Sequence, residues 1–175
     1  MAFERIGGET VYEGKIATVR RDTFRFDDGE EAKREIVEHP GAVGVVAHDG
    51  ETLYLVKQPR EAVNEPALLE LPAGKLDRPG EDPRECARRE LAEEVGRAAG
   101  SWRDLGGFYT APAILTEFIH CFLATDLSPV DATPGEEDEA IETVRWPLAE
   151  LAAAIDEVRD AKTLIGLLRL ERLRR

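Results

Sequence analysis

The chain has 175 residues, 42% of them hydrophobic and 34% charged, a balance typical of one soluble globular domain with its own core. The formal net charge is −13, so the average field repels polyanions and argues against nucleic acid as a partner. Two cysteines and no long apolar run predict neither a disulfide framework nor a membrane segment, and indicate a reduced, cytoplasmic protein.

The first sixty residues predict antiparallel strands. The segment "DTFRFDDGEEAKREIVEH" is two alternating stretches joined at an Asp-Gly turn, and "AVGVVAHDGETLYLVKQPR" repeats this design around Asp49-Gly50. Asp82 and Pro83 then predict the start of a helix, and Gly96 predicts its end. Further strands are expected near "DLGGFYTA", "EFIHCFLATDL" and "IETVRW".

Two more helices are expected near the end of the sequence. Pro147 is predicted to open the first, and the second runs from about Lys162 to Leu173. Its apolar side is expected to carry four leucines, Leu164, Leu167, Leu168 and Leu173. Strands come first, helices interleave later and no repeat appears, so the order predicts a mixed, largely antiparallel α/β sandwich in one domain, residues 1–175.

The stretch "RELAEEVG" crowds carboxylates at the end of the first predicted helix. Glu90, Glu93 and Glu94 share one face in the last turn, where the helix dipole disfavours negative charge. The simplest interpretation is a solvated face, because Arg89 can pair with Glu85 and Glu93 along the helix. These pairs do not include Glu90 and Glu94. A divalent cation resolves the conflict, and oxygen ligands of this kind suit Mg²⁺ or Mn²⁺ rather than zinc.

The spacing around these carboxylates resembles the Nudix hydrolase box. Gly74 is followed after six residues by Glu81, and after seven more by the run that ends at Gly96. The usual box has five residues in the first interval and an apolar residue where this chain has Arg97. The longer first interval is similar to a variation among the ADP-ribose pyrophosphatases of the family.

The resemblance implies a Nudix fold, with mixed, largely antiparallel sheets sandwiched between helices. It also implies a site that holds two or three Mg²⁺ or Mn²⁺ ions. The implied metal ligands are the carbonyl of Ala73 and the carboxylates of Glu90 and Glu94, with Glu93 assisting and Arg89 paired to Glu81. Such ions neutralise a diphosphate and activate the attacking water.

Similarity to the ADP-ribose pyrophosphatases extends beyond the box. "ELPAG" resembles their entry to it, and Pro112, sixteen residues after Gly96, resembles their marker proline. Glu117 is retained, whereas alanine, alanine and threonine replace the serine, glycine and aspartate expected around it, at Ala111, Ala113 and Thr116. Arg60 matches an arginine that contacts substrate, and Glu70 has two open roles, ribose contact and a structural one.

The acidic segment "TPGEEDEA" precedes the last predicted strand. Most such runs are solvated surface loops. The resemblance implies that this loop carries the glutamate that activates water. The best register gives Glu139, with Glu136 and Glu137 as alternatives.

The activity implied is metal-dependent hydrolysis of ADP-ribose or a related nucleoside diphosphate sugar, giving AMP and a sugar phosphate. Alternative substrates are NADH, a flavin dinucleotide and a dinucleoside polyphosphate. A non-catalytic nucleotide-sugar sensor is the alternative from another class, and the complete set of box carboxylates counts against it. The resemblance further implies a homodimer in which the strands of about residues 1–40 are exchanged.

Overall fold

A computed structural model describes residues 2–14, 17–130 and 140–175. These residues form two compact units. The first contains the chain up to Gly41 together with Tyr109–Phe118, and the second contains Ala42–Phe108 and Ile119–Arg175. The prediction of one domain across residues 1–175 stays a prediction.

The first unit is built on a three-stranded antiparallel sheet. Its strands are β1 (Phe3–Glu13), β2 (Thr18–Phe26) and β3 (Glu31–Glu38), in the order β1-β2-β3. The predicted Asp-Gly turn joins β2 to β3, and Gly29 takes a φ of +84° there, which glycine adopts without strain. The hairpin expected in this part of the sequence is therefore confirmed.

The second unit contains a seven-stranded mixed sheet. Five strands follow one another across it in the order β10-β5-β4-β9-β8, while β6 pairs with β5 and β7 pairs with β4. Strand β4 runs parallel to β9 and antiparallel to β5 and β7. The prediction of a mixed, largely antiparallel architecture is confirmed. The strands are β4 (Ala42–His48), β5 (Thr52–Arg60), β6 (Glu65–Glu70), β7 (Ala73–Lys75), β8 (Arg97–Tyr109), β9 (Phe118–Pro129) and β10 (Glu142–Pro147).

Helices cover both faces of this sheet. Neighbouring side chains on a strand point to opposite faces, and along β4 Val45 joins one hydrophobic cluster while Val46 joins another. Helix α1 (Pro83–Val95) packs in the cluster of Val45, and α2 (Leu151–Glu157) and α3 (Ala161–Arg174) pack in that of Val46. The sheet is therefore sandwiched between helices, as expected.

Helix α1 begins and ends where its capping residues predict. The side chain of Asp82 accepts a hydrogen bond from the backbone N–H of Arg84 at 2.8 Å, and Pro83 is the first helical residue. Gly96 ends the helix with a φ of 67°.

Cys86 is fully buried on the inner face of α1, where burial raises the pKa of its thiol to about 12. It is a packing residue, as its variable position in the motif predicts.

The apolar side predicted for α3 is partly wrong. Leu168 and Leu173 are exposed, while Thr163 and Gly166 are buried with Leu167 and Leu170. Gly166 explains the rotation, because a Cβ there would lie only 2.6 Å from Leu71 Cδ1. The helix backbone approaches the sheet along the line of its small residues rather than along its leucines.

The second helix also begins later than predicted. A short 3-10 helix, Leu148–Glu150, follows Pro147 and leads into α2 at Leu151. A second 3-10 helix, Glu61–Val63, connects β5 to β6. None of the helices in the described ranges is long and apolar enough to cross a bilayer.

Candidate active site

Strand β7 and the last turns of α1 bring the predicted metal ligands together. The backbone N–H of Ala73 donates a hydrogen bond to Glu94 Oε2 at 3.0 Å. One residue further along β7, the side chain of Glu90 lies against Gly74 so closely that a Cβ on Gly74 would be 1.8 Å from Glu90 Oε1. Both carboxylates are thus held at the same short strand.

Arg89 is the centre of the carboxylate cluster. Its Nε and Nη2 donate to the two oxygens of Glu81 at 3.1 and 3.2 Å, and its Nη1 donates to Glu90 at 2.6 Å and to Glu93 at 2.9 Å. The expected pair of Arg89 with Glu81 is present. These hydrogen bonds lower the pKa of Glu81, and the bond to Glu81 is the largest contribution to the raised pKa of Arg89.

The predicted helix pairs need one correction. Arg89 does not bond to Glu85, which instead accepts a hydrogen bond from Arg88 at 2.6 Å. Arg89 bonds to its own neighbour Glu90, although adjacent residues do not share a helix face. The reason is tertiary, because Glu81, in the loop before α1, fixes the guanidinium within reach of Glu90 and Glu93.

The site carries more negative than positive charge. Glu81, Glu90, Glu93 and Glu94 contribute four negative charges, and Arg89 offsets one of them. Arg78 adds a further positive charge at the edge, with its Nη2 3.9 Å from Glu93 Oε1 and its side chain 59% exposed. An excess of carboxylates at one place is the environment in which hard divalent cations bind.

The donor chemistry of the carboxylate cluster fits a divalent metal. Within the described ranges, no group of three or more His, Cys, Asp and Glu side chains is arranged as a metal site. The residues that fit are the carboxylates of Glu90 and Glu94 and the backbone carbonyl of Ala73, all oxygen donors beside β7. Gly74 supplies the space that Glu90 occupies.

Strand β10 supports the carboxylate end of α1. Thr143 Oγ1 donates a hydrogen bond to the backbone carbonyl of Glu94 at 3.0 Å. Carbonyls in the last turn of a helix lack partners within the helix, so this bond fixes the turn that carries Glu93 and Glu94. Sequence analysis gave no role to Thr143, and nothing in its local sequence signals one.

Arg97 replaces the apolar residue that usually ends the box, and its guanidinium packs on an aromatic ring. Its Cζ lies 5.4 Å from the ring centroid of Tyr54, and that of Arg145 lies 5.7 Å from the same ring. An arginine stem and planar head cover apolar surface through such contacts. The departure from the motif is therefore accommodated by packing.

Arg60 and Glu70, two predicted substrate residues, are bonded to each other. Arg60 Nε and Nη2 donate to the two oxygens of Glu70 at 2.6 and 2.8 Å. Burial by itself would raise the pKa of Glu70, but the hydrogen bonds and charges of Arg60 and Lys162 outweigh it and hold the pKa below its usual value. The side chain of Glu70 is only 1% exposed, which favours the structural role over ribose contact.

The other two predicted substrate residues, Pro112 and Glu117, lie in the first unit. Glu117 accepts a hydrogen bond from Thr110 Oγ1 at 2.7 Å, and its Oε1 is 3.5 Å from His39 Nε2. Thr116, which replaces the expected aspartate, bonds through its hydroxyl to the backbone N–H and carbonyl of His39. Glu139 and its alternatives Glu136 and Glu137 lie outside the described residues.

Comparisons with known proteins agree on one family. The model of the NUDIX domain matches residues 38–166. An ADP-ribose pyrophosphatase of Mycobacterium tuberculosis (strain ATCC 25618 / H37Rv) is 40% identical over 170 residues, which cover 95% of this chain and 82% of the relative. A methanol dehydrogenase activator of Bacillus methanolicus is 38% identical over 163 residues, covering 91% of this chain and 87% of the relative.

The fold agrees as well. A crystal structure described as an ADP compounds hydrolase superposes with a TM-score of 0.87 at 27% identity, covering 99% of this chain and 94% of that one. The family model spans most of the chain, and its residues include the whole run from Gly74 to Gly96. This chain belongs to the NUDIX family.

Proposed function

We propose that this protein hydrolyses the diphosphate bond of ADP-ribose or a related nucleoside diphosphate sugar, giving AMP and a sugar phosphate, with the help of divalent cations. The observation that carries the proposal is the joint placement of Glu90 on Gly74 and Glu94 on Ala73. The similarity to an ADP-ribose pyrophosphatase and to an ADP compounds hydrolase supports the choice of substrate class.

Glu90, Glu94 and the carbonyl of Ala73 hold the metal in this proposal, as two or three ions of Mg²⁺ or Mn²⁺. Bound divalent ions neutralise the diphosphate oxygens and make a water molecule more acidic. Oxygen donors suit both ions.

The other box residues orient these ligands. Arg89 bonds to Glu81, Glu90 and Glu93 at once, so it fixes three carboxylates relative to one another and limits their mutual repulsion. Glu93 assists at the metal site. Glu81 and Arg89 are paired through two hydrogen bonds, so their role is to orient the neighbouring carboxylates. Phosphoryl transfer depends strongly on such positioning.

The general base proposed is Glu139, in the acidic segment before β10. A positioned carboxylate base contributes on the order of 10²–10⁴-fold to such a reaction. Glu136 and Glu137 are the alternatives within the same segment.

Arg60, Pro112 and Glu117 are proposed to contact the substrate, and Glu70 to hold Arg60. Arg60 uses Nε and Nη2 for Glu70, which leaves its Nη1 outside that pairing. An arginine is suited to anionic oxygens because its planar head forms charge-assisted hydrogen bonds.

The same site accommodates other diphosphates. The subfamily pattern is not kept at Ala111, Ala113 and Thr116. The hydroxyl of Thr116 is hydrogen-bonded to the backbone N–H and carbonyl of His39. Because these residues differ from the subfamily pattern, NADH, flavin dinucleotide and dinucleoside polyphosphates are the alternative substrates to test.

A homodimer and a reduced, cytoplasmic setting complete the proposal. Strand β1 is exposed along its whole length, with Phe3 65% and Tyr12 60% exposed. An exposed edge strand with apolar side chains is suited to pairing with a second copy. Both cysteines are free and buried.

The test is AMP release from ADP-ribose, ADP-glucose, NADH, flavin dinucleotide and diadenosine polyphosphates, with Mg²⁺ and with chelator. We expect metal-dependent cleavage led by ADP-ribose, lost with chelator and restored by added Mg²⁺. Glu90→Gln and Glu94→Gln should each lower kcat by about 10²-fold or more, because the metal ligand charge is lost.

The matched control is Glu85→Gln, on the same helix, whose side chain is 59% exposed. It should keep wild-type activity, and all three variants should keep the wild-type thermal midpoint within a few degrees. Preference for another diphosphate would change the assigned substrate and leave the assigned site unchanged. If the protein binds these compounds but hydrolyses none of them, it is a sensor and not an enzyme.

A further inference from the structure

Glu70 sits in a buried network that reaches the third helix. Besides the two bonds from Arg60, its Oε2 accepts a hydrogen bond from Lys162 Nζ. The side chains of Glu70 and Lys162 are 1% and 13% exposed, whereas that of Arg60 is 42% exposed. Glu70 therefore joins an interior lysine to an arginine that reaches solvent.

Lys162 is itself fixed by the start of α3. Its Nζ lies 3.0 Å from Asp160 Oδ2, and that oxygen also accepts from the backbone N–H and the hydroxyl of Thr163 at 2.9 and 2.6 Å. Thr163 is fully buried, and its Oγ1 accepts a hydrogen bond from the backbone N–H of Leu71 at 2.8 Å. The N-terminus of α3 is thus bonded to the residue that follows Glu70.

The same segment leads directly to the metal-binding carboxylates. Glu70 and Ala73 are three residues apart, so their Cα atoms are separated by at most about 11 Å. Ala73 holds Glu94 through its backbone N–H. The hydrogen bonds to Glu70 raise the pKa of Arg60, and the charges of Asp160 and Glu94 add to this effect, so Arg60 lies within electrostatic reach of Glu94.

A purely structural role explains this arrangement poorly. A buried ion pair adds little to stability compared with apolar residues of similar volume, so stability alone gives little reason to bury Glu70 together with Lys162 and Asp160. Two cations on one buried carboxylate, one interior and one partly exposed, instead fix the exposed guanidinium in a single orientation. Preorganised cations bind anionic ligands more tightly because less side-chain freedom is lost on binding.

We propose that Lys162 is a positioning residue for substrate binding, which through Glu70 holds the guanidinium of Arg60 in place for an anionic oxygen of the nucleoside diphosphate. This inference rests on the proposed function for the identity of the ligand. Lys162 does not touch the substrate, and it sets the affinity of the site rather than the rate of the chemical step.

The test compares Lys162→Met, which removes the ammonium group and keeps the stem, with Lys162→Arg, which keeps the charge. KM and kcat for ADP-ribose with Mg²⁺ are measured together with the thermal midpoint. Lys162→Met should raise KM about tenfold, the size expected when one charge-assisted contact loses its alignment, and should change kcat by less than about twofold. Lys162→Arg should restore KM.

The matched control is Lys33→Met, an exposed lysine of β3 whose loss changes the net charge equally. It should leave KM unchanged. In an Arg60→Ala background, Lys162→Met should have little further effect on KM, because the residue through which it acts is gone. A KM effect that persists at full size in that background, or that equals the effect of Lys33→Met, would overturn the proposal.

Two further outcomes need their own measurements, namely a variant that does not fold and a wild-type protein that is inactive. If Lys162→Met does not fold, Asp160→Asn loosens Lys162 while it keeps an oxygen for Thr163, and an unchanged KM in that variant would overturn the proposal. If the wild-type protein hydrolyses none of the diphosphates, the proposed function fails. The inference is then decided by the Kd of ADP-ribose from calorimetry in the same variants, and absence of binding overturns both.

Discussion

Gly74 is the position at which a missing side chain matters most directly to the site. A Cβ there would lie 1.8 Å from Oε1, 2.0 Å from Cδ and 2.5 Å from Cγ of Glu90. The glycine is needed because another side chain occupies its space. The atoms that would collide belong to the outer part of a flexible side chain, so Glu90 can move aside, and the carboxylate then leaves its place beside Ala73 and Glu94.

Gly74→Ala should therefore separate activity from stability. We expect activity to fall about 10²-fold, since a displacement of about 1 Å at a catalytic group has an effect of this size, and the thermal midpoint to change by no more than about 4 °C. Initial rates and thermal unfolding are the measurements. The control is Gly7→Ala in β1, where an added Cβ meets nothing within 4 Å. Full activity in Gly74→Ala would contradict the close packing of Glu90.

At the scale of elements, α1 connects the two ends of the candidate site. Its cap at Asp82 fixes the start, while Gly96 and the bond from Thr143 to the carbonyl of Glu94 fix the end that carries the carboxylates. The cap lies next to Glu81, whereas Glu90 and Glu94 lie in the last two turns of the helix. Stability and catalysis should therefore respond differently to changes at its two ends.

Asp82→Ala should lower the free energy of unfolding by about 1 kcal/mol, because the N–H of Arg84 loses its side-chain acceptor. We expect kcat to stay within about twofold of wild type, since the active end of α1 is held by other contacts. Urea unfolding and steady-state kinetics check the two parts. Asp156→Ala, at an exposed position of α2, is the matched control and should change stability by less than about 0.5 kcal/mol. A large loss of kcat in Asp82→Ala would show that the cap reaches the site.

For the molecule as a whole, the pH dependence of stability follows from its paired carboxylates. The pKa values of Glu70 and Glu81 are lowered in the folded state by Arg60 with Lys162 and by Arg89. A lowered folded pKa contributes stability that is fully present above the unfolded value near 4.5 and is lost as the pH falls through the folded pKa. The high negative charge acts in the opposite direction, since acid relieves general repulsion in the same range.

Glu70→Gln separates the local term from the general one. At pH 7 the variant should be less stable than wild type by about 3 kcal/mol, because two cations lose their buried partner. Below about pH 4.5 the difference should shrink, since wild-type Glu70 becomes protonated as well. Urea midpoints at several pH values between 3 and 7 measure this. A difference that stays constant across the range would mean that the pKa of Glu70 is the same in the folded and unfolded states.

Most of the fold could be predicted from local patterns. The Asp-Gly turns, the strands around them, the Asp82 cap and the Gly96 end are set by residues close together in the sequence, and the structure contains each of them. The face of α3 could not be predicted in this way. Its leucines suggest one side, but Gly166 allows the backbone to approach Leu71 and Val46, and packing against these residues, distant in the chain, decided the rotation.

The candidate site divides along the same line. The box and the identity of its carboxylates could be read from the sequence alone, because residue type and spacing are local features of the chain. The partners of these groups depend on the tertiary structure. Arg89 bonds to Glu90 and not to Glu85, and Glu70 bonds to Lys162, which is 92 residues away in the chain. Contacts between residues so distant in the sequence depend on how the helices and the sheet pack, and local sequence patterns do not predict them.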